Sequence, residues 1–381
     1  HSGAVAGGYL AYEALCERYG IINCETLEEM IEMTLAFQQE RLPQGHRIAF
    51  MTTSGGTVDL LHDYCEQEGA VVPELAAKTI EAVRPFVPAD CHIRNPIDTG
   101  APVGISGKSA PAEICKLFAA DDGIDMVAWC NNLPGSARSA GALEEVKTLV
   151  KSTAKPVISF ARMPHQIPED GIMFQDETKM PFLQGTRAGV RAMNALWFFA
   201  KRKGRDIASL PTAKGIKENC AGEALENALA SKGLRTPTTK YAKNISNVGL
   251  AVREVGFPAA LKIVSPQASH KTEVGGVTLH LTSEVAATRA AEKMAKNLKS
   301  INPKAEIEGY LAQKMVTGIE FLVGAREDKL YGPILVVGAG GVLVEIVKDF
   351  NVRLLPVTQE DVSSMISELR CASILKNFRG R

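Results

Sequence analysis

Between residues 47 and 203, short apolar runs alternate with segments of helical period, and that alternation leaves few folds open. Arg47-Ile-Ala-Phe-Met-Thr-Thr-Ser-Gly-Gly56 reads as a buried strand ending in a tight turn. Thr57 to Glu68 follows as a helix with Val58, Leu61 and Tyr64 or Cys65 on one face. Asp125 to Cys130 and Pro156 to Ala161 read as two more buried strands, and Lys78 to Val83, Ala137 to Lys151 and Met180 to Lys203 as helices. Strands without polar alternation, separated by helices, predict a parallel, doubly wound α/β sheet covered on both faces. Ligands of such sheets sit beyond the carboxyl ends of the strands. That rule places Ser54, Gly55, Gly56, Asn95, Asp98 and Asn131 near one rim. A strand, a Ser-Gly-Gly turn and a helix also aim free backbone N–H groups at an anion, although most such turns are only tight connections. Asp98 has a purely local alternative, bonding the backbone of its own turn.

The segments on either side differ in character. Residues 1–45 open with His1-Ser-Gly3-Ala-Val-Ala-Gly7-Gly8, a loop of small residues with one nucleophile. A helix is expected over Tyr9 to Tyr19. A second starts after Thr26, where Glu29 three residues on completes a capping-box pattern and Leu27, Met30, Ile31 and Leu35 recur at helical spacing. Lys201-Arg-Lys-Gly-Arg205 reads as a solvated helix end and linker, so a domain boundary is placed near residue 206. Beyond it, Glu223 to Lys232, Ile245 to Val255 and Glu284 to Leu298 read as helices. Ala259–Val264, Val277–Leu281, Tyr310–Met315, Glu320–Arg326, Pro333–Val337 and Val342–Ile346 read as strands. Consecutive strands with short connections are antiparallel, which predicts an α+β domain.

Within that second part lies Leu261-Lys-Ile-Val-Ser-Pro-Gln-Ala-Ser-His270-Lys-Thr-Glu-Val-Gly275-Gly-Val277. Lys262 sits inside an apolar run, where an ammonium is costly unless a partner meets it. His270 and Lys271 follow a short polar linker, and Gly275-Gly276 lets the backbone approach a ligand closely. A strand lysine, a histidine and a glycine turn in one short span suit phosphate handling. A strand, a loop and a hairpin with a surface histidine would read the same way.

Composition narrows the class. With 43 basic and 43 acidic residues the formal net charge is zero, which removes any general argument for nucleic acid or an anionic membrane as partner. No apolar run reaches the roughly 18 residues of a membrane span. The chain begins without Met or a signal-peptide pattern, so the numbering is expected to start inside a longer protein. Eight scattered cysteines include no C-x-x-C pair, which speaks against a zinc site and for reduced thiols in a cytoplasmic protein. No metal ligands are assigned.

Taken together, these motifs resemble the NDP-forming (ADP-forming) acyl-CoA synthetases, the superfamily of succinyl-CoA synthetase, over nearly all 381 residues. The ATP-grasp half of that family carries a pattern matched by Leu261-Lys-Ile, Ser265-Pro266, His270-Lys271 and Glu273-Val-Gly-Gly-Val277. Gln313-Lys-Met-Val-Thr-Gly-Ile-Glu320, Tyr331-Gly-Pro-Ile-Leu-Val-Val-Gly-Ala-Gly-Gly341, Val344-Glu345-Ile-Val-Lys348-Asp349 and Phe378-Arg-Gly-Arg381 extend it. Thr53-Ser-Gly-Gly56 and Asn95-Pro-Ile-Asp98 match the flavodoxin-like ligase domain, and His1-Ser-Gly-Ala-Val-Ala-Gly7 resembles the phosphohistidine loop.

The resemblance implies three parts: the end of a synthetase-like domain over 1–45, a flavodoxin-like ligase domain over 46–205, and an α+β ATP-grasp domain over 206–381. It implies an acid–CoA ligase that uses ATP, magnesium and CoA and forms ADP, through phosphohistidine and an acyl phosphate. His1 is the implied phosphoryl carrier, swinging on Gly3, Gly7 and Gly8, and Ser54, Gly55 and Gly56 with Asn95 and Asp98 would hold the phosphoryl group or the acid. His270 is a second carrier, a phosphate contact or a structural residue. Lys262, Lys271, Gly275, Gly276, Gln313, Lys314, Met315, Val316 and Glu320 would bind ATP, the strand end at Gln313 to Val316 as a hinge around adenine. The family's CoA-binding domain normally precedes the histidine loop and its closing ATP-grasp strands, with a magnesium ligand, normally follow Arg-Gly-Arg. Residues 1–381 are therefore expected to fold but not to complete the reaction alone. A small-molecule carboxylic acid is the expected partner and a homo-oligomer the expected assembly; Arg138 and Lys108 are the obvious cations in the pocket loops, each equally a surface charge. Two other readings stay open: a ligand-sensing module of a protein acetyltransferase, and an acyl-CoA-dependent lyase.

Overall fold

A computed structural model of the chain describes residues 8–100, 110–130, 139–164, 166–167, 169–205, 228–268, 271–340 and 347–375. Two compact units emerge: His1–Leu210 with Val323–Gly338 and Asp349–Arg381, and Pro211–Leu322 with Ala339–Lys348.

The first unit is built on a five-stranded parallel sheet. Its strands are β1 (Ile48–Thr52), β2 (Ile97–Asp98), β3 (Met126–Cys130), β4 (Val157–Ala161) and β5 (Phe182–Gln184), in the order β2-β1-β3-β4-β5. That order is the flavodoxin-like one, with its switch point between β1 and β3. Alternate residues of the same strands feed two separate cores. Ala49, Met51 and Val127 pack with Val83, Phe118, Leu149 and Phe174 on one face. Ile48, Phe50, Met126 and Phe160 pack with Leu61, Val190, Met193 and Leu196 on the other. Burial on both sides is why these strands read as unbroken apolar runs. The helices are α1 (Tyr9–Tyr19), α2 (Leu27–Phe37), α3 (Gly55–Glu68), α4 (Ala77–Val83), α5 (Ala110–Ala119), α6 (Ser139–Lys151), α7 (Glu169–Thr178) and α8 (Thr186–Arg202). At Gly189 of α8 an added Cβ would lie 2.5 Å from the Phe160 ring, so the helix axis approaches the sheet more closely than a larger residue allows.

Two sequence expectations fail here for physical reasons. The expected helix over Met180 to Lys203 is a strand, β5, and then α8; Gly185, at φ 98°, makes the break. In α2 the apolar stripe faces outward: Leu27, Met30 and Ile31 are exposed, whereas Glu29, Glu32, Met33 and Ala36 are buried. Glu29 and Glu32 can be buried because each has a partner, the Arg191 guanidinium at 2.8 Å and the Gln184 N–H at 2.8 Å respectively.

The same unit contains β10 (Phe321–Asp328, from residue 323), β11 (Gly332–Ala339, to residue 338) and β12 (Phe350–Leu354), a three-stranded sheet with β11 in the centre. Ala14 of α1 packs with Ile334, Val352 and Leu354. Arg18 donates to the carbonyls of Leu354 and Pro356, both at 3.1 Å.

The second unit is antiparallel: β6 (Thr239–Ala242), β7 (Ala259–Val264), β8 (Val277–Leu281) and β9 (Gly309–Lys314) lie in the order β6-β9-β7-β8. Helices α9 (Val248–Val255) and α10 (Glu284–Ile301) cover one face, packing Val252, Ala287 and Met294 on Leu261, Ile263, Tyr310 and Ala312. Lys262, by strand alternation, lies on the other face. The expected strand Val342–Ile346 and the first half of the expected helix Glu223–Lys232 lie outside the described residues. No described helix is long and apolar enough to cross a membrane, and the seven described cysteines are free thiols.

Candidate functional site

At the carboxyl end of β1 the chain turns through Thr53 and Ser54 directly into α3. Ser54 has extended backbone and makes no side-chain cap bond; its carbonyl accepts from Thr57 and Val58 at 3.0 and 3.3 Å. The N–H groups of Gly55 and Gly56 thus open a 14-residue helix with neither a capping side chain nor a Cβ over them, and both glycines are exposed. This is an anion-accepting geometry. Asp98 ends β2 beside it, with Oδ1 accepting from the Gly100 N–H at 2.9 Å and Oδ2 3.4 Å from where a Gly55 Cβ would stand. Ser54, Gly55, Gly56 and Asp98 therefore meet at one rim of the first unit.

Asn95 does not join them. Its Oδ1 accepts from the Phe50 N–H at 2.9 Å, and its Nδ2 donates to the Ile48 and Pro73 carbonyls at 2.8 and 3.0 Å. β2 pairs with β1 only at Met51 and Thr52, and upstream an isolated bridge, Arg47 with Val71, flanks the start of β1, which leaves the Phe50 N–H and the Ile48 carbonyl between them without a backbone partner among the described residues. The Asn95 amide replaces that missing ladder pair, donor and acceptor together. The grouping of Asn95 with the phosphate contacts is corrected accordingly.

In the second unit, Lys262 on β7 and Gln313 on β9 are diagonal neighbours. Lys262 Nζ donates to Gln313 Oε1 at 2.5 Å, and Gln313 Nε2 donates to Thr239 Oγ1 at 3.2 Å. The chain Lys262–Gln313–Thr239 holds an ammonium at a fixed place on the face opposite α9 and α10. Lys314 points elsewhere, its Nζ on the Phe257 carbonyl. Met315 closes the strand end through its N–H to the Pro258 carbonyl at 3.1 Å, and its Sδ accepts from the His280 N–H at 3.2 Å. Val316 then stands 74% exposed, with no hydrogen bond to its backbone N–H among the described residues. That is the arrangement a planar base with one acceptor edge can use. Glu320 is exposed, and its carbonyl accepts from the Gly340 N–H at 2.8 Å.

The glycine pair has a different explanation from the one expected. A Cβ on Gly276 would lie 2.7 Å from Ile263 Cγ2 and 2.9 Å from the Lys271 carbonyl oxygen, which accepts from the Gly276 N–H at 2.6 Å. Gly275 is at φ 63°. Turn closure against β7 therefore demands both glycines before any ligand is considered. Lys271 contributes its carbonyl to that turn. His1 and His270 lie outside the described residues, as do Asn131, Lys108 and Arg138.

The carboxylates nearest in sequence to the expected ATP motifs are committed to backbone. Asp349 accepts from the N–H groups of Arg370 and Cys371, both at 2.9 Å; burial alone would raise its pKa, but these bonds outweigh it and lower it. Asp328 accepts from Leu330 and Tyr331, which lowers its pKa. Among the described residues no three His, Cys, Asp or Glu converge as a metal site.

Residues 216–381 match the ATP-grasp domain family. Over its whole length the chain is 27% identical to acetate–CoA ligase (ADP-forming) I of Archaeoglobus fulgidus and 27% identical to 4-hydroxybutyrate–CoA ligase (ADP-forming) of Nitrosopumilus maritimus. It spans 56% of the length of each. A solved dinucleotide-forming acetyl-coenzyme A synthetase 1 of Ca. Korarchaeum cryptofilum is 38% identical over 41% of this chain and 69% of its own, with a TM-score of 0.39. The chain's homologues over its whole length are ADP-forming acyl-CoA ligases.

The chain also holds groups that the sequence reading passed over. Arg191 of α8 pairs with Glu29, Glu25 and Glu68 at 2.8, 3.4 and 3.7 Å, and lines a cavity of about 300 Å³ with Cys16, Met33 and Phe198. Burial raises the Glu32 carboxyl above the ordinary range, against the opposing bond from the Gln184 N–H. Arg162 stands directly after β4, on the same rim as Ser54. Looking for charge in the residue after each expected strand would have found it.

Proposed function

We propose that the full-length protein is an acid–CoA ligase that consumes ATP and forms ADP. In this reading the γ-phosphoryl group passes from ATP to an imidazole nitrogen of His1, and ADP leaves. A carboxylate oxygen of the acid attacks phosphorus, the P–N bond breaks, and an acyl phosphate forms. The CoA thiol, losing its proton, attacks the acyl carbon, and phosphate departs as the C–O bond breaks. Each step moves charge that positioned N–H groups and cations can meet. The open N-terminus of α3 carries the proposal: Gly55 and Gly56 would receive the phosphoryl group, with Ser54 shaping the turn and Asp98 at its edge. Lys262, positioned by Gln313, would meet the ATP phosphates, and the Val316 backbone at the end of β9 would meet the base.

The acids named for the two full-length relatives, acetate and 4-hydroxybutyrate, share a carboxylate, and a carboxylic acid is the substrate class proposed. CoA is the acyl acceptor. Magnesium is expected with ATP, and no step is assigned to it. Residues 46–205 would act as ligase domain and residues 206–381 as ATP-grasp domain, with residues 1–45 as the end of a preceding synthetase-like domain. A cytoplasmic homo-oligomer is proposed on the family resemblance.

The test is product analysis on the full-length enzyme with ATP, CoA and a panel of acids from acetate to aromatic acids. Acyl-CoA with stoichiometric ADP and phosphate is the expected outcome. AMP with pyrophosphate, or no acyl-CoA with any acid, contradicts the proposal.

A further inference from the structure

Described residues along the carboxyl rim of the parallel sheet divide by charge. Asp98 stands at the β2 end, beside the mouth of α3. Glu32, at the β5 end, accepts from the Gln184 N–H. Arg187, in the first turn of α8, pairs with Glu68 at 2.9 Å. Arg162, at the end of β4, is exposed, and no carboxylate among the described residues pairs with it.

Its backbone is nonetheless held firmly. The Gly185 N–H donates to the Ala161 carbonyl at 3.0 Å, and Thr186 Oγ1 donates to the Arg162 carbonyl at 3.2 Å. The side chain is felt one strand away: burial pushes the Cys130 thiol at the end of β3 up to about 12, and the Arg162 charge works against that shift. Arg162 thus stands at the carboxyl end of β4, one strand beyond β3, on the rim that holds the β1–β3 switch point, where an open sheet of this order takes its ligand. Adjacent strands are about 4.8 Å apart, so β4 ends roughly 10 Å from β1. A long guanidinium side chain and a small carboxylate together fill that gap. Asp98 repels an acid at the β2 side of the α3 mouth, and the Arg162 side is the one left to it.

We propose that Arg162 binds the carboxylate of the acid substrate and sets it against the phosphoryl group at the N-terminus of α3. This rests on the ligase reading above. A guanidinium suits the task because it meets both carboxylate oxygens at once.

The experiment uses the full-length enzyme, its Arg162→Ala, Arg162→Gln and Arg162→Lys variants, and acetate as the acid. Two readings are taken: transfer of labelled γ-phosphate from ATP to enzyme without acid, and KM for acetate with ATP and CoA saturating. Expected are normal labelling in every variant, KM for acetate raised roughly 10- to 100-fold in Arg162→Ala and Arg162→Gln, and partial recovery in Arg162→Lys. The KM for ATP stays at the parent value. Normal labelling with an unchanged acetate KM overturns the assignment. Loss of labelling in Arg162→Ala also overturns it, because the cation then serves the phosphoryl group. An unlabelled parent enzyme defeats the ligase reading itself, a result separate from either.

Discussion

Replacing Asn95 separates a structural amide from a phosphate ligand. Asn95→Ala removes three bonds, one to the Phe50 N–H and two to the Ile48 and Pro73 carbonyls, at 2.8 to 3.0 Å. All three are part-buried. At about 0.5–1.5 kcal/mol each, the loss sums to about 1.5–4.5 kcal/mol. Asn95→Asp keeps an acceptor for Phe50 but sets a carboxylate against two carbonyl oxygens, so its folded pKa is raised. A raised carboxyl contributes stability that is full below the unfolded value near 4 and is lost as pH rises through the folded value. The aspartate variant should therefore be weakest at neutral pH and recover in acid. Urea unfolding at pH 7 and pH 4, with hydrogen exchange at the Phe50 amide, reads both effects. Unchanged midpoints and unchanged Phe50 protection, with phosphoryl transfer abolished, would refute the reasoning and restore Asn95 as a ligand.

Glu32→Gln keeps an acceptor for the Gln184 N–H while removing a carboxyl whose pKa burial has raised. By the same sign rule the parent loses stability as pH climbs above about 4.3, so the variant should match it in acid and exceed it at pH 7 in a thermal melt. Identical pH dependence in both proteins would contradict the buried carboxyl. Gly276→Ala puts a Cβ 2.7 Å from Ile263 Cγ2 and should lower stability by about 1–3 kcal/mol in chemical denaturation. A neutral result would mean that the turn relaxes and that the glycine serves a ligand instead.

How much of this could be read beforehand depended on how each element buries its residues. β1, β3 and β4 were legible because both faces are covered and every position is apolar or small. The start of α3 at a Ser-Gly-Gly turn was legible because tight turns of this kind restrict the residues allowed. α2 misled because its Leu27, Met30 and Ile31 stripe has the right period but the wrong side of the helix is buried, stabilised by Arg191 and Gln184 contacts from more than 150 positions away. Such contacts leave no local trace. β5 was absorbed into a helix because the short apolar run Pro181-Phe-Leu183 lies only two residues before the start of α8, and Gly185, at φ 98°, makes the break. Lys262 was singled out for its apolar setting, and its link to Gln313 follows from strand register rather than from spacing. The glycine pair was legible as a tight turn, but its packing cause was not, since the exclusion of a side chain at Gly276 by β7 comes from strand packing.

The central claim is a phosphoryl relay through histidine, and its most direct measurement is acid-labile, base-stable label on the full-length enzyme after incubation with γ-labelled ATP and magnesium. The account predicts label on the parent, none on His1→Ala, and discharge of the parent's label when a carboxylic acid and CoA are added. Label that persists at the parent level in His1→Ala, or a parent that never takes label, would contradict it.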